Sequence, residues 1–172
     1  MSKSRAGRSD AAWTDMSEHV VHLVKGVDTH DAYNNIIWIL WKKVIKACNP
    51  FGIARSSAPD LASQRAVCFS EVPVELLGRI AERRVRRGPE GWHGIGFSKA
   101  LLIQRGGGPV LYAYVGTPHE RAARELVEQA RSSPKASENP LWRLTPFIET
   151  PGEQYYFEWE REWRCLGDFS FE

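Results

Sequence analysis

Three features are scarce in this chain, and each scarcity excludes something. Cysteine occurs only as Cys48, Cys68 and Cys165, an odd number, widely spaced and without a C-x-x-C pair. That pattern supports neither a disulfide framework nor a zinc knuckle, and the expected state is three reduced thiols. The remaining motifs indicate no metal site. Charge of one sign is scarce as well: 23 Lys and Arg against 21 Asp and Glu leave a formal net charge of +2. So small an excess does not by itself argue for a nucleic-acid partner. Long apolar runs are missing too, since residues 1–10 are polar and basic and no stretch approaches the ~20 residues of a membrane span. We therefore expect no signal peptide, no membrane partner and a cytoplasmic location.

What is present reads as globular. With 172 residues, 42% of them hydrophobic and 26% charged, the chain can bury one core without crosslinks. Residues 1–12, with Lys3, Arg5 and Arg8 among small residues, are expected to form a disordered basic tail, and residues 13–172 a single domain. The β-branched run over residues 19–24 predicts a first strand. Over residues 31–48, Tyr33, Ile37, Leu40, Trp41, Val44 and Cys48 fall on one helical stripe. Ile36, Trp38, Ile39 and Ile45 widen it nearly all round, so we expect a helix buried on two sides and capped by Asp28 or Thr29.

Residues 65–70 predict a second strand, and Pro73 opens a helix through Leu76, Leu77 and Ile80 to Arg87. Alternate glycines in residues 91–97 predict a close backbone approach leading into a strand. Ser98 caps a short helix over residues 100–104, and residues 110–115 form a third strand. Thr117-Pro118-His119-Glu120 is a capping box, starting a helix with Ala122, Ala123, Leu126, Val127 and Ala130 on one stripe. Strands and helices mix without a regular βαβ repeat. The expected class is α+β, a single domain whose mixed or antiparallel sheet has flanking helices.

The stretch 155–165 invites chemistry. As a strand it would place Glu158, Glu160, Glu162 and Arg164 on one side and Trp159, Arg161, Trp163 and Cys165 on the other. Carboxylates at alternate positions repel unless a cation or ligand compensates. The readings are a bound ligand, arginines set among the acids, or a solvated edge strand that uses charge against aggregation. His22 on the first strand is either a packed residue or a ligand contact, and Ser70 either caps the next turn or meets a ligand. The run with Arg83, Arg84, Arg86 and Arg87 is either a solvated helix face or a nucleic-acid contact. Gly94-Ile95-Gly96 lacks the third glycine of a dinucleotide fingerprint, and Gly106-Gly107-Gly108 lacks the Lys-Ser/Thr of a phosphate loop.

Five short motifs combine in order: His22-Leu23-Val24, Val67-Cys68-Phe69-Ser70-Glu71-Val72-Pro73, His93-Gly94-Ile95-Gly96-Phe97-Ser98-Lys99, Pro109-Val110-Leu111-Tyr112 and Glu160-Arg161-Glu162-Trp163-Arg164. Together, over residues 19–166, they resemble the abortive phage resistance family of AbiGi type. The resemblance implies a bacterial anti-phage or toxin–antitoxin setting, with a partner protein encoded nearby. The layout is also similar to ADP-ribosyltransferase folds, with a first-strand histidine, a hydroxyl ending a middle strand and a late Glu-x-Glu. That likeness implies NAD as substrate, His22 and Ser70 positioning it, and Glu162 as the catalytic carboxylate at the nicotinamide ribose. Glu160 would contact the acceptor and Tyr33 would be the aromatic beside nicotinamide. The chain departs from that pattern in lacking a Ser-Thr-Ser strand motif. The alternative is a non-catalytic antitoxin or sensor subunit that binds its partner through the acidic strand.

Overall fold

A computed structural model of the chain describes residues 17–24, 31–79, 93–152 and 158–172. The expected tail over 1–12, the arginines Arg83, Arg84, Arg86 and Arg87, the caps Asp28 and Thr29, and Tyr155 to Phe157 lie outside the described residues. In chain order the elements are β1 (His19–Val24), α1 (Ala32–Lys42), β2 (Val44–Ile45), β3 (Ala66–Ser70), β4 (His93–Ser98), α2 (Lys99–Gln104), β5 (Gly108–Pro109), β6 (Leu111–Tyr112), α3 (Pro118–Arg131), β7 (Ile148–Glu149), β8 (Glu162–Leu166) and β9 (Phe169–Ser170). Five strands form an antiparallel sheet in the order β4-β1-β3-β8-β5. Two small pairs flank it: β2 with β9, antiparallel, and β6 with β7, parallel. The class is α+β, as the mixture of signals predicts. Among the described residues no helix is long and apolar enough to cross a membrane.

The main core lies on one face of the sheet. Val20 and Val24 of β1, Val67 and Phe69 of β3, Phe97 of β4 and Cys165 of β8 meet Ile39 from α1, Leu102 from α2 and Phe169. Phe69, Phe97 and Phe169 pack edge to face at 5.0 to 6.0 Å between centroids, the arrangement ring quadrupoles favour. α3 does not cover this sheet. Its Val127 and Ala130 join Ala54, Ala58 and Trp142 in a separate small core. Thr117 caps it as expected, its hydroxyl accepting from the Glu120 amide at 3.4 Å. The returning half of the box differs, since the Glu120 carboxylate takes the Gly116 amide at 3.4 Å.

Several expectations give way to longer-range pairing. α1 ends at Lys42, not Cys48, because Lys43 takes a left-handed φ of 52° and Val44 and Ile45 pair with Ser170 and Phe169. Its cap is Asp31, whose side chain accepts from the Asn34 amide at 2.7 Å. Nor is α1 buried on two sides. Only Ala32 and Ile39 are buried, while Tyr33, Ile37, Leu40 and Trp41 stay exposed, Trp41 to 73%. The apolar stripe is wider than the contact one sheet offers. The strand expected at 110–115 is reduced to the two residues of β6, which turns away to β7 just after β5 has paired with β8. The acidic strand begins only at Glu162: Glu158–Glu160 is a 3-10 turn, and Arg161, at φ 44°, ends it.

Of the described glycines in this stretch, Gly94 marks a close approach, since a Cβ there would lie 2.8 Å from Val21 Cγ1, whereas Gly96 meets nothing within 4 Å. Among the described glycines the tightest approach is at Gly52, where φ is +81° and a Cβ would come within 1.9 Å of the Thr145 carbonyl oxygen. Buried Gln64 locks the same junction, donating to the Trp142 carbonyl at 3.0 Å and accepting from the Thr145 hydroxyl at 2.7 Å. Gly52→Ala should therefore lower the unfolding free energy by at least about 3 kcal/mol, strain and clash adding, while Gly96→Ala should stay within about 1 kcal/mol. Urea denaturation of both variants checks this.

Candidate functional site

The register of β3 on β8 sorts their side chains. Ser70 opposes Glu162 and Cys68 opposes Arg164 on one face, while Val67 opposes Cys165 and Phe69 opposes Trp163 on the core face. β1 lies antiparallel to β4 from His19↔Ser98 to Val24↔His93, yet it meets β3 at the single register pair Val21↔Ser70. Past that pair the ladder is lost. A cleft of about 770 Å³ is lined from both faces of the sheet, by His22, Ile39 and Phe69 and by Cys68, Ser70, Tyr112, Glu149, Glu160, Glu162 and Arg164. It therefore passes where β1 and β3 part. Its size is in the range that holds small ligands and cofactors.

His22 spans the gap. Its Nδ1 lies 2.8 Å from the Cys68 carbonyl oxygen, and a carbonyl only accepts, so Nδ1 carries the proton. Burial lowers the His22 pKa, partly offset by this hydrogen bond. The ring is thus neutral at pH 7, with Nε2 as a lone-pair acceptor.

Arg164 is 2% exposed and is the hub of the opposite wall. Its Nε and Nη2 donate to the two Glu162 oxygens at 2.9 and 3.0 Å, Nη2 to Glu149 at 2.7 Å and Nη1 to the Pro146 carbonyl at 2.5 Å. The Phe51 ring lies 4.7 Å from the guanidinium carbon. Burial opposes this charge, but Glu162 and then Glu149 outweigh it and hold the pKa above the ordinary arginine value. The i, i+2 alternation in the sequence already set Glu162 and Arg164 on one face, and Arg164 supplies the compensation that the carboxylates require. Burial, then the charge of Glu162, keeps the Cys68 thiol protonated well above its usual range. This disfavours the thiolate form that a nucleophilic cysteine needs. The Tyr112 phenol is likewise raised by burial, then by Glu162, Glu160 and Glu149.

The residues expected from the sequence divide clearly. His22, Ser70, Glu160 and Glu162 line the cleft together. Ser70 is buried and its hydroxyl is engaged structurally, donating to the Glu160 carbonyl at 2.6 Å and accepting from the Val72 amide at 3.4 Å. It positions the turn that carries Glu160. Tyr33 is not among the lining residues. It faces out beside His93, with centroids 5.9 Å apart, because α1 turns Asn35, Trp38 and Ile39 to the cleft. Trp38, Tyr112, Glu149 and Arg55 were missed. Tyr112 and Glu149 sit side by side only because β6 and β7 pair, and no local pattern announces that. Arg55 sits in the loop fixed by Gly52, its Nε donating to the Gly52 carbonyl at 3.0 Å and its Nη2 bonded to Glu149. Among the described residues no His, Cys, Asp and Glu group is placed to hold a metal ion.

The arrangement offers a carboxylate fixed by a buried cation, a neutral imidazole acceptor, a protonated phenol and an indole. It suits a ligand that carries hydroxyl groups, a flat ring and a developing positive charge. No family model, curated protein or solved structure matches this chain.

Two measurements check this electrostatic picture. Arg164→Met leaves Glu162 without its cation in a mostly buried site, while Glu149 keeps only Arg55, and should cost about 3–5 kcal/mol in denaturant unfolding. His22 has a lower pKa folded than its unfolded value of 6.5, so between the two the unfolded chain binds more protons. Stability should therefore be fully present above pH 6.5 and fall as the pH drops through that window. His22→Gln should remove this part of the slope, and an unchanged slope would contradict the assignment.

Proposed function

We propose that the chain is a bacterial anti-phage protein of the abortive-infection or toxin–antitoxin kind whose cleft has an ADP-ribosyltransferase-like site that cleaves NAD. The observation that carries this reading is the meeting of His22, Ser70, Glu160 and Glu162, distant in sequence, along one cleft of ligand size. The split between β1 and β3 supports an ADP-ribosyltransferase-like fold in which the substrate lies across the gap. The bond broken is the glycosidic C–N bond. Its electron pair leaves with the nicotinamide nitrogen, and the ribose carbon becomes an oxocarbenium ion that water or a macromolecular acceptor attacks with loss of a proton.

In this reading Glu162 is the catalytic carboxylate. Arg164 holds it in one geometry before the reaction, so stabilising the cation requires little reorganisation. His22 Nε2 accepts from a ribose hydroxyl, and Glu160 contacts the acceptor. Ser70 acts through the Glu160 turn. Trp38, which lines the cleft, takes the aromatic role in place of Tyr33. NAD is a cytoplasmic metabolite, which fits the expected location.

A second reading, a non-catalytic antitoxin or sensor subunit that binds a partner protein, draws on a different observation. Tyr33, Ile37, Leu40 and Trp41 form an exposed apolar helix face, whereas Glu162 is turned inward to Arg164. This reading predicts an equimolar complex with a neighbouring gene product that Trp41→Glu dissolves, with no nicotinamide release.

The test of the first reading is nicotinamide release from NAD by chromatography. Glu162→Gln should slow release at least about 100-fold, the scale of losing one transition-state electrostatic contact, and Glu160→Gln, at the acceptor side, should slow it less. A thermal melt of each variant accompanies the assay, because Glu162→Gln also weakens the hold on Arg164. Equal rates for folded Glu162→Gln and the parent would contradict the catalytic role.

A further inference from the structure

The NAD reading leaves the diphosphate without a partner. His22 is neutral, and its Nδ1 proton is committed to the Cys68 carbonyl. Three described cations line the cleft, namely Lys46, Arg55 and Arg164. Arg164 is spent: it is buried and bonded to Glu162, Glu149 and Pro146. Drawing it toward a phosphate would leave Glu162 without its cation in a mostly buried site, which is costly. Lys46 is more than half exposed and paired at 2.6 Å with Asp168, on a flexible stem that fixes no orientation.

Arg55 differs from both. Its side chain is 45% exposed, so its ion pair with Glu149 is partly solvated and exchanges at small cost. Glu149 keeps Arg164 at 2.7 Å when Arg55 leaves, so no buried charge is orphaned by the exchange. The guanidinium is also aimed in advance. Arg55 Nε donates to the Gly52 carbonyl at 3.0 Å, and Gly52 sits where no side chain fits against Thr145. A planar fork held at a cleft wall matches phosphate oxygens better than an ammonium does.

We propose that Arg55 is the phosphate-binding residue of the cleft, exchanging Glu149 for the diphosphate of a dinucleotide while Arg164 retains Glu149. The proposal rests on the NAD reading for the dinucleotide but not for the phosphate. It makes Arg55 a specificity residue that favours phosphorylated ligands over nucleosides.

Isothermal titration of the full chain with ADP-ribose and, separately, with inorganic pyrophosphate tests it, using the parent, Arg55→Gln and Arg55→Lys. Arg131→Gln, at an exposed pair on α3, is the control for a lost surface charge. Thermal melts report folding. The expected result is at least tenfold weaker binding of both probes by Arg55→Gln, partial recovery in Arg55→Lys and no change in Arg131→Gln. Arg55-dependent binding of pyrophosphate without binding of ADP-ribose would support the phosphate site and count against the NAD reading. Binding of either probe within twofold of the parent by folded Arg55→Gln would overturn the proposal and leave the NAD reading standing. A parent that binds neither probe would overturn both.

Discussion

The late half of this fold depends on burying one charge. A guanidinium at 2% exposure is tolerable only if its donors are matched, and Arg164 is matched by Glu162 from its own strand, Glu149 from β7 and the Pro146 carbonyl. Those partners arrive on separate segments, so the ion network ties β8 to the turns over residues 140–149. Gly52 and Gln64 tie the same turns to the loop that carries Phe51 and Arg55. Placement of Glu162 is therefore a by-product of packing, and its carboxylate cannot swing without leaving the buried Arg164 Nε unmatched.

The second constraint is the interrupted ladder between β1 and β3. Where backbone pairing stops after Val21↔Ser70, the His22 imidazole takes up the Cys68 carbonyl, so a backbone acceptor that would otherwise be left near the core is satisfied by a side chain. One residue thus closes the polar accounting of the gap, fixes its own tautomer and presents Nε2 as an acceptor. The cost of opening the sheet and the chemistry of the opening are met by the same group.

Signals that act over a few residues were legible in the sequence. The strands over 19–24 and 65–70, the Ser98 cap and the Thr117 cap all follow from local residue types, and their structures agree to within a residue or two. What depended on distant partners was not. A period of 3.6 placed Tyr33 with Ile37 and Trp41, but it cannot say which side of the helix a sheet will cover, and here the sheet takes Ile39. The run 110–115 has strand composition throughout, yet only Leu111 and Tyr112 join a strand pair, with β7, while the residues just before them pair with β8 in a different sheet. Arg55 and Glu149, 94 residues apart, form a pair that no spacing rule anticipates. Glu162 and Arg164 could be placed on one face because alternation in a strand needs no partner. Their mutual neutralisation explains why an acidic strand is stable in a half-buried position.

The central claim is that a neutral His22, with Nε2 as acceptor, and a carboxylate fixed by Arg164 face one dinucleotide. The most direct measurement is nitrogen NMR of histidine-labelled protein titrated with a non-cleavable NAD analogue whose nicotinamide-like ring is joined to ribose through carbon. The account predicts that His22 shows the Nδ1-protonated tautomer throughout the titration, and that its Nε2 resonance moves as a ribose hydroxyl donates to it. A His22 resonance unchanged at saturating analogue, or an imidazolium signal at pH 7, would contradict it.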